Sequence, residues 1–165
     1  MGQNIGGIRP PSAPQHITGT VAGVGVDLIR IRRVEQAYLR RPERFLQRIF
    51  SLREQAFLLQ RGHPPATLAA RFAAKEAVAK ALGCGIGPVS WNELEIVPGG
   101  KGAPSVCLRG EAERLARLQG IAGVAVSLTH DGPWAMAFAV AYRRQEARSR
   151  KQEAGSRRQK TRGRK

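Results

Sequence analysis

The stretch ATLAARFAAKEAVAKAL at residues 66–82 contains no glycine or proline and is dominated by alanine and leucine. Pro64-Pro65 precedes it and Gly83 follows it. Alanine and leucine are the strongest helix formers. Proline is tolerated at the first turn of a helix, and glycine just past the last turn closes one. The segment therefore predicts a single long helix over 66–82. It is the longest element this chain offers.

The polar residues of that helix sort by their spacing. Phe72, Glu76 and Lys80 share one face, with Ala69 and Gly83 close by, while Lys75 points roughly 100° away. Lys75 is expected to face solvent or a neighbouring subunit. Glu76 and Lys80 stand in the favourable i,i+4 order for an ion pair worth about 0.2–0.5 kcal/mol. Alone, that pair is a minor helix salt bridge. Beside a second carboxylate, Glu76 becomes half of a site for a hard cation, because Mg²⁺ commonly takes one or two carboxylates plus ligand phosphates.

Asp27 is the candidate second carboxylate. TVAGVGVDL (20–28) is short and β-branched, and reads as a strand ending near Asp27. A carboxylate at the end of an apolar strand is paired, caps a helix or binds a metal. Past the long helix, Gly83, Gly85 and Gly87 alternate. They terminate the helix and permit close backbone approach to a ligand. Their pattern is neither a phosphate-loop nor a dinucleotide motif.

The remaining elements are shorter. Ile31, Val34, Tyr38 and Leu39 define a helical face over 30–40, Pro42 breaks that helix, and Phe45, Leu46, Ile49 and Phe50 resume apolar contacts. Ser51-Leu52-Arg53-Glu54 is a capping-box pattern that starts a helix running to about Gly62. Trp91–Val97 reads as a strand, 98–102 as a turn and Ser105–Arg109 as the returning strand of a hairpin. Residues 111–118 form a helix stopped by Gly120. Val124–Leu128 is a strand, 130–133 a turn and Trp134–Tyr142 a last strand. His130 begins that turn. The class is α+β: an antiparallel sheet of hairpins packed against a long helix and shorter ones.

The formal net charge is +16, unevenly spread. Residues 143–165 carry eleven Lys/Arg and two Glu, whereas residues 20–142 contribute only +6. Domain limits follow: a leader at 1–19, one domain at 20–142 and a basic tail at 143–165. With almost no apolar residues, the tail is expected to be disordered and to touch nucleic acid only non-specifically. Aromatics amount to 5% and none interleaves with the tail's cations, which argues against a single-strand binding protein. Arg30 to Arg48 hold seven arginines and two glutamates, a docking patch for an acidic partner immediately after Asp27. Two cysteines, no membrane-length apolar run and no signal-peptide pattern fit a cytoplasmic protein.

Taken together, GVGVDLIRIRRVE, RIFSLRE, LAARFAAKEAVAKALGCGIG, WNELEIV with GKGAPSVCL, and VSLTHDGPWAMAFAV resemble the holo-acyl-carrier-protein synthase family of 4′-phosphopantetheinyl transferases. The resemblance covers about residues 20–142. It implies Mg²⁺-dependent transfer of 4′-phosphopantetheine from coenzyme A to a serine of an apo-acyl carrier protein, with release of adenosine 3′,5′-bisphosphate. By the same resemblance, Asp27 and Glu76 match metal ligands, Lys80 a lysine near the diphosphate and His130 a histidine in the coenzyme A site. Arg71, Gly83, Gly85 and Gly87 match coenzyme A-contacting regions, and Arg33, Arg40 and Arg44 the helix that meets the acidic carrier protein. The family implies a homotrimer with sites between subunits. One departure stands out: many members carry Glu three residues after the metal Asp, where this chain has Arg30. Intact Asp27, Glu76, Lys80 and His130 argue against an inactive scaffold.

Overall fold

The computed structural model describes residues 19–99 and 102–144. Apart from Gly19, Arg143 and Arg144, the expected leader and basic tail lie outside the described residues, and so does the tail's expected contact with nucleic acid. The expected α+β class is found. The chain order is β1 (Gly19–Arg30), α1 (Ile31–Arg40), α2 (Pro42–Ile49), α3 (Leu52–Leu59), α4 (Pro65–Ala81), β2 (Leu94–Pro98), β3 (Pro104–Leu108), α5 (Gly110–Leu118), β4 (Gly123–Asp131) and β5 (Trp134–Arg144). The main sheet is antiparallel in the order β1-β5-β4, and β2 and β3 form a separate hairpin.

Helix α4 sits at the centre, against β1, β4 and β5 on one side and α1 and β2 on others. The sheet receives it closely because the facing side chains are small. Ala135, Ala137, Ala139 and Ala141 of β5 are buried, and so are Ala69, Ala73, Ala74, Ala77 and Ala81 of α4. On β1 even a methyl group is too much. A Cβ added at Gly25 would lie 2.0 Å from the Ala77 carbonyl oxygen, and one at Gly23 2.2 Å from that of Ala81. The closest backbone approach thus involves Gly23 and Gly25, whereas a Cβ at Gly83, Gly85 or Gly87 would touch nothing within 4 Å. Those three glycines have positive φ values of 69°, 63° and 133°, which favour glycine.

Several boundaries differ from expectation for local reasons. Pro42 does end α1, but it also opens α2 as a first-turn residue, where its missing N–H costs nothing. Trp91–Glu93 forms a single 3₁₀ turn rather than strand, because Ser90 and Glu93 make a reciprocal cap. Strand β4 runs on to Asp131 in register with β5, so His130 lies on the strand, opposite Ala135, and not in the turn. Strand β1 likewise continues past Asp27 to Arg30, which pairs with Trp134.

Candidate active site

Alternation along β1 places Gly25, Asp27 and Ile29 on the side facing α4. This carries Asp27 to the helix face that bears Phe72 and Glu76. Asp27, Arg33, Phe72 and Glu76 line one cavity of about 360 Å³, with Val34, Ala37 and Phe45 completing its apolar wall. Lys80 does not bond Glu76, one turn away on its own helix. Its ammonium crosses to β1, donating to Asp27 Oδ1 at 2.9 Å and to the Val26 carbonyl at 2.8 Å. The expected Glu76–Lys80 pair is therefore replaced by a Lys80–Asp27 pair. Two residues 53 positions apart meet because β1 lies against α4.

The Glu76 carboxyl is pushed above the usual carboxylate range, first by partial burial and then by the Asp27 charge, with Lys80 opposing. Two carboxylates near enough to disfavour joint ionisation form an oxygen donor pair suited to a hard divalent cation. Among the described residues no cluster of three or more His, Cys, Asp and Glu side chains is present. Two carboxylates at one cavity could hold Mg²⁺, an ion that commonly takes one or two carboxylates together with water and ligand phosphate.

The other expected site residues do not gather there. Arg71 and His130 line a second cavity, also about 360 Å³, together with Phe57, Arg61, Thr67 and Leu128. No residue lines both cavities. Arg71 is buried, donates to the Ile96 carbonyl and lies over the Phe57 ring. Burial lowers its affinity for a proton, the Glu54 carboxylate opposes that, and the Arg61 charge adds to it. Gly83 and Gly85 follow the far end of α4, about 18 Å along the axis from Arg71 at 1.5 Å per residue. The chain thus separates Arg71 and His130 from Gly83, Gly85 and Lys80. Arg40 and Arg44 are exposed on α1 and α2, and Arg33 combines exposure with a place on the rim of the Asp27 cavity.

Lys75 overturns its expected position. It is fully buried and donates to Glu54 Oε2 at 2.7 Å, to the Leu94 carbonyl at 2.8 Å and to the Trp91 carbonyl at 2.9 Å. Burial depresses its proton affinity while Glu54 opposes the shift. The helical wheel misplaced it by assuming a single buried face. The buried residues of α4, mostly alanines with Leu68 and Val78, are spread around nearly all of its circumference, the mark of a helix buried all round. Glu54 is the hub of this network: it also accepts from Ser51 N at 2.9 Å and from Ile96 N at 3.0 Å. Nearby, Glu95 receives Ser51 Oγ at 2.6 Å and Arg109 at 3.1 Å. The capping box announced Glu54 as a helix cap, but nothing local announced its burial.

A profile of the 4′-phosphopantetheinyl transferase superfamily matches residues 23–139. The chain belongs to this family. Among curated relatives, the holo-[acyl-carrier-protein] synthase of Moorella thermoacetica is 47% identical over 116 residues, covering 70% of this chain and 90% of the relative. That of Desulforudis audaxviator is 45% identical over 121 residues, 73% and 92% of the two chains. The transferase fold is also seen in the crystal structure of the Neisseria meningitidis synthase, with a TM-score of 0.70, 33% identity and coverage of 75% of this chain and all of that one. The Helicobacter pylori synthase, solved in complex with coenzyme A, gives 0.64 and 30%, covering 72% and 98%. Among the described residues, no helix of this transferase is long and apolar enough to cross a membrane.

Proposed function

We propose that this chain transfers the 4′-phosphopantetheine group of coenzyme A to a serine hydroxyl of an acidic apo-acyl carrier protein, in the cytoplasm, where Cys84 and Cys107 stay reduced as thiols. The observation that carries the reading is the convergence of Asp27 from the strand and Glu76 from the helix at one cavity, with Lys80 paired to Asp27, beside the arginine-rich α1 and α2. Relatives that share the fold are named for this reaction, and one of them was solved with coenzyme A.

The chemistry follows from charge. A serine oxygen attacking a diphosphate phosphorus forms one P–O bond and breaks another, releasing adenosine 3′,5′-bisphosphate. Asp27 and Glu76 would hold Mg²⁺, which would offset the charge of the diphosphate. Lys80 supplies a cation at the same place and is free to move from Asp27 to the leaving phosphate, being about half exposed. The serine proton leaves to solvent or a carboxylate. Arg33, Arg40 and Arg44 attract the acidic carrier protein from solution.

The second cavity belongs to the same reaction through assembly. Its described lining includes Arg61, Arg71 and His130 and no carboxylate, which suits the anionic nucleotide end of the donor. A homotrimer that sets the Asp27 cavity of one subunit against the His130 cavity of the next unites the two halves. The face of the main sheet turned away from α4 supports self-association. There Val24, Val26, Leu28, Met136 and Phe138 remain 39–58% exposed and form a continuous apolar patch across β1 and β5. Patches of this kind mark protein contacts.

Incubation with Mg²⁺, coenzyme A and an apo-carrier protein should give a carrier protein heavier by one phosphopantetheine. Asp27→Ala and Glu76→Ala should each abolish the transfer while keeping the fold. Normal turnover in either variant would sink the metal assignment. Mixing Asp27→Ala and His130→Ala protomers should restore part of the activity that each lacks alone, and failure to do so would count against a shared site.

A further inference from the structure

The Phe57 ring on α3 carries two guanidinium groups. The Arg61 carbon lies 3.8 Å from its centroid and the Arg71 carbon 3.9 Å. Both arginines line the cavity that holds His130. Sharing one ring puts the two cations within about 8 Å of each other, about a Debye length at physiological ionic strength, so they repel. Arg61 does weaken the hold of Arg71 on its proton. The quadrupole of an aromatic face attracts cations and fixes their planes, which offsets that repulsion. The two arginines are held differently. Arg71 is buried and anchored on the Ile96 carbonyl, whereas Arg61 is exposed, in the turn that Gly62 and His63 close with positive φ. Among the described hydrogen bonds, none ties down the Arg61 guanidinium. Among the described residues, the Phe57 ring is the contact seen for the Arg61 guanidinium at the cavity.

We propose that Phe57 is a positioning residue of the donor-substrate half-site, holding Arg61 and Arg71 as a spaced pair of cations for an anionic phosphate of coenzyme A. This rests on the reading of the His130 cavity as part of the donor site. Without the ring, Arg61 swings into solvent and the cavity keeps one fixed guanidinium in place of two.

The test is initial-rate kinetics of the full chain with Mg²⁺, coenzyme A and an apo-carrier protein, each substrate varied in turn. Phe57→Leu should raise the KM for coenzyme A about fivefold, the size of an exposed cation–π contact. The kcat and the carrier-protein KM should stay within about twofold. Phe57→Tyr, which keeps the ring, should return the coenzyme A KM. Arg61→Gln should raise that KM by a similar factor, and Phe57→Leu added to it should bring little more, because both remove one interaction. An unchanged coenzyme A KM in Phe57→Leu, a failure of Tyr to rescue, or multiplicative effects in the double variant would each overturn the proposal. Should Phe57→Leu not fold, the exposed Arg61→Gln still decides, and an unchanged KM there rejects the pair. An unchanged coenzyme A KM in His130→Ala would instead reject the donor-site reading on which the proposal stands.

Discussion

Replacing Lys75 by methionine keeps most of its length and removes its charge. In the folded protein this strands Glu54, whose side chain is fully buried and whose Oε2 loses its ammonium partner at 2.7 Å. The carbonyls of Trp91 and Leu94 lose a donor at the same time. Removing one member of a buried ion pair costs about 3–5 kcal/mol, because the other charge stays desolvated. The orphaned carbonyls add to this, and the new packing of the methionine partly compensates. A net loss of about 4 kcal/mol is expected, a large share of the roughly 5–15 kcal/mol that stabilises a domain. For a domain of this size that lowers Tm by about 10–15 °C. Urea denaturation at fixed protomer concentration measures it, since self-association would otherwise shift the midpoint. The double variant Lys75→Met/Glu54→Gln sharpens the test. It removes the stranded charge and should recover about 1–2 kcal/mol. Recovery is incomplete because Glu54 accepts from Ser51 N at Oε2 and from Ile96 N at Oε1, and a glutamine amide has only one acceptor oxygen. A loss below about 1 kcal/mol in Lys75→Met would refute the reasoning, since it would mean that Lys75 is not buried on Glu54.

Gly25→Ala should cost about 1–3 kcal/mol in urea, as the new methyl is driven into the α4 backbone at Ala77, and activity should fall as Glu76 and Lys80 shift from Asp27. A stability within experimental error of the parent would show that α4 does not lie this close. Arg40→Glu with Arg44→Glu should raise the carrier-protein KM at least about tenfold at low salt, less at high salt, and leave the coenzyme A KM alone. Equal effects on both substrates would count against a docking patch, and Arg33 is the poorer test because it also lines the Asp27 cavity. Burial pushes the Cys84 thiol above its ordinary range. Alkylation of the native protein should therefore be slower at Cys84 than for a free thiol and still be accelerating above pH 9, with buried Cys107 protected until unfolding. Rapid labelling of Cys84 near neutral pH would contradict its placement.

Much of the candidate site was legible where the signal was local or motif-borne. Asp27 and Glu76 stood out because a carboxylate on an apolar strand and another among alanines each need a reason, and the structure gives both the same cavity. Phe57 and Arg61 carried no such mark. Their pairing depends on a turn that sends Arg61 back over its own helix and on Arg71 arriving from another.

By itself the sequence determined what short-range physics controls. It set the long helix between Pro64 and Gly83, the cap made by Ser51 and Glu54, and the β2–β3 and β4–β5 hairpins. Each depends on dihedral preference, capping or alternation within a few residues. Packing between distant elements settled that β1 pairs with β5, that Lys80 reaches Asp27 instead of Glu76, that Lys75 is buried on Glu54, and that Arg71 and His130 stand in a different cavity from Asp27 and Glu76. Those outcomes turn on which surfaces meet when residues 21 to 125 positions apart are packed together. A helix read alone cannot show that it will be enclosed on almost every side.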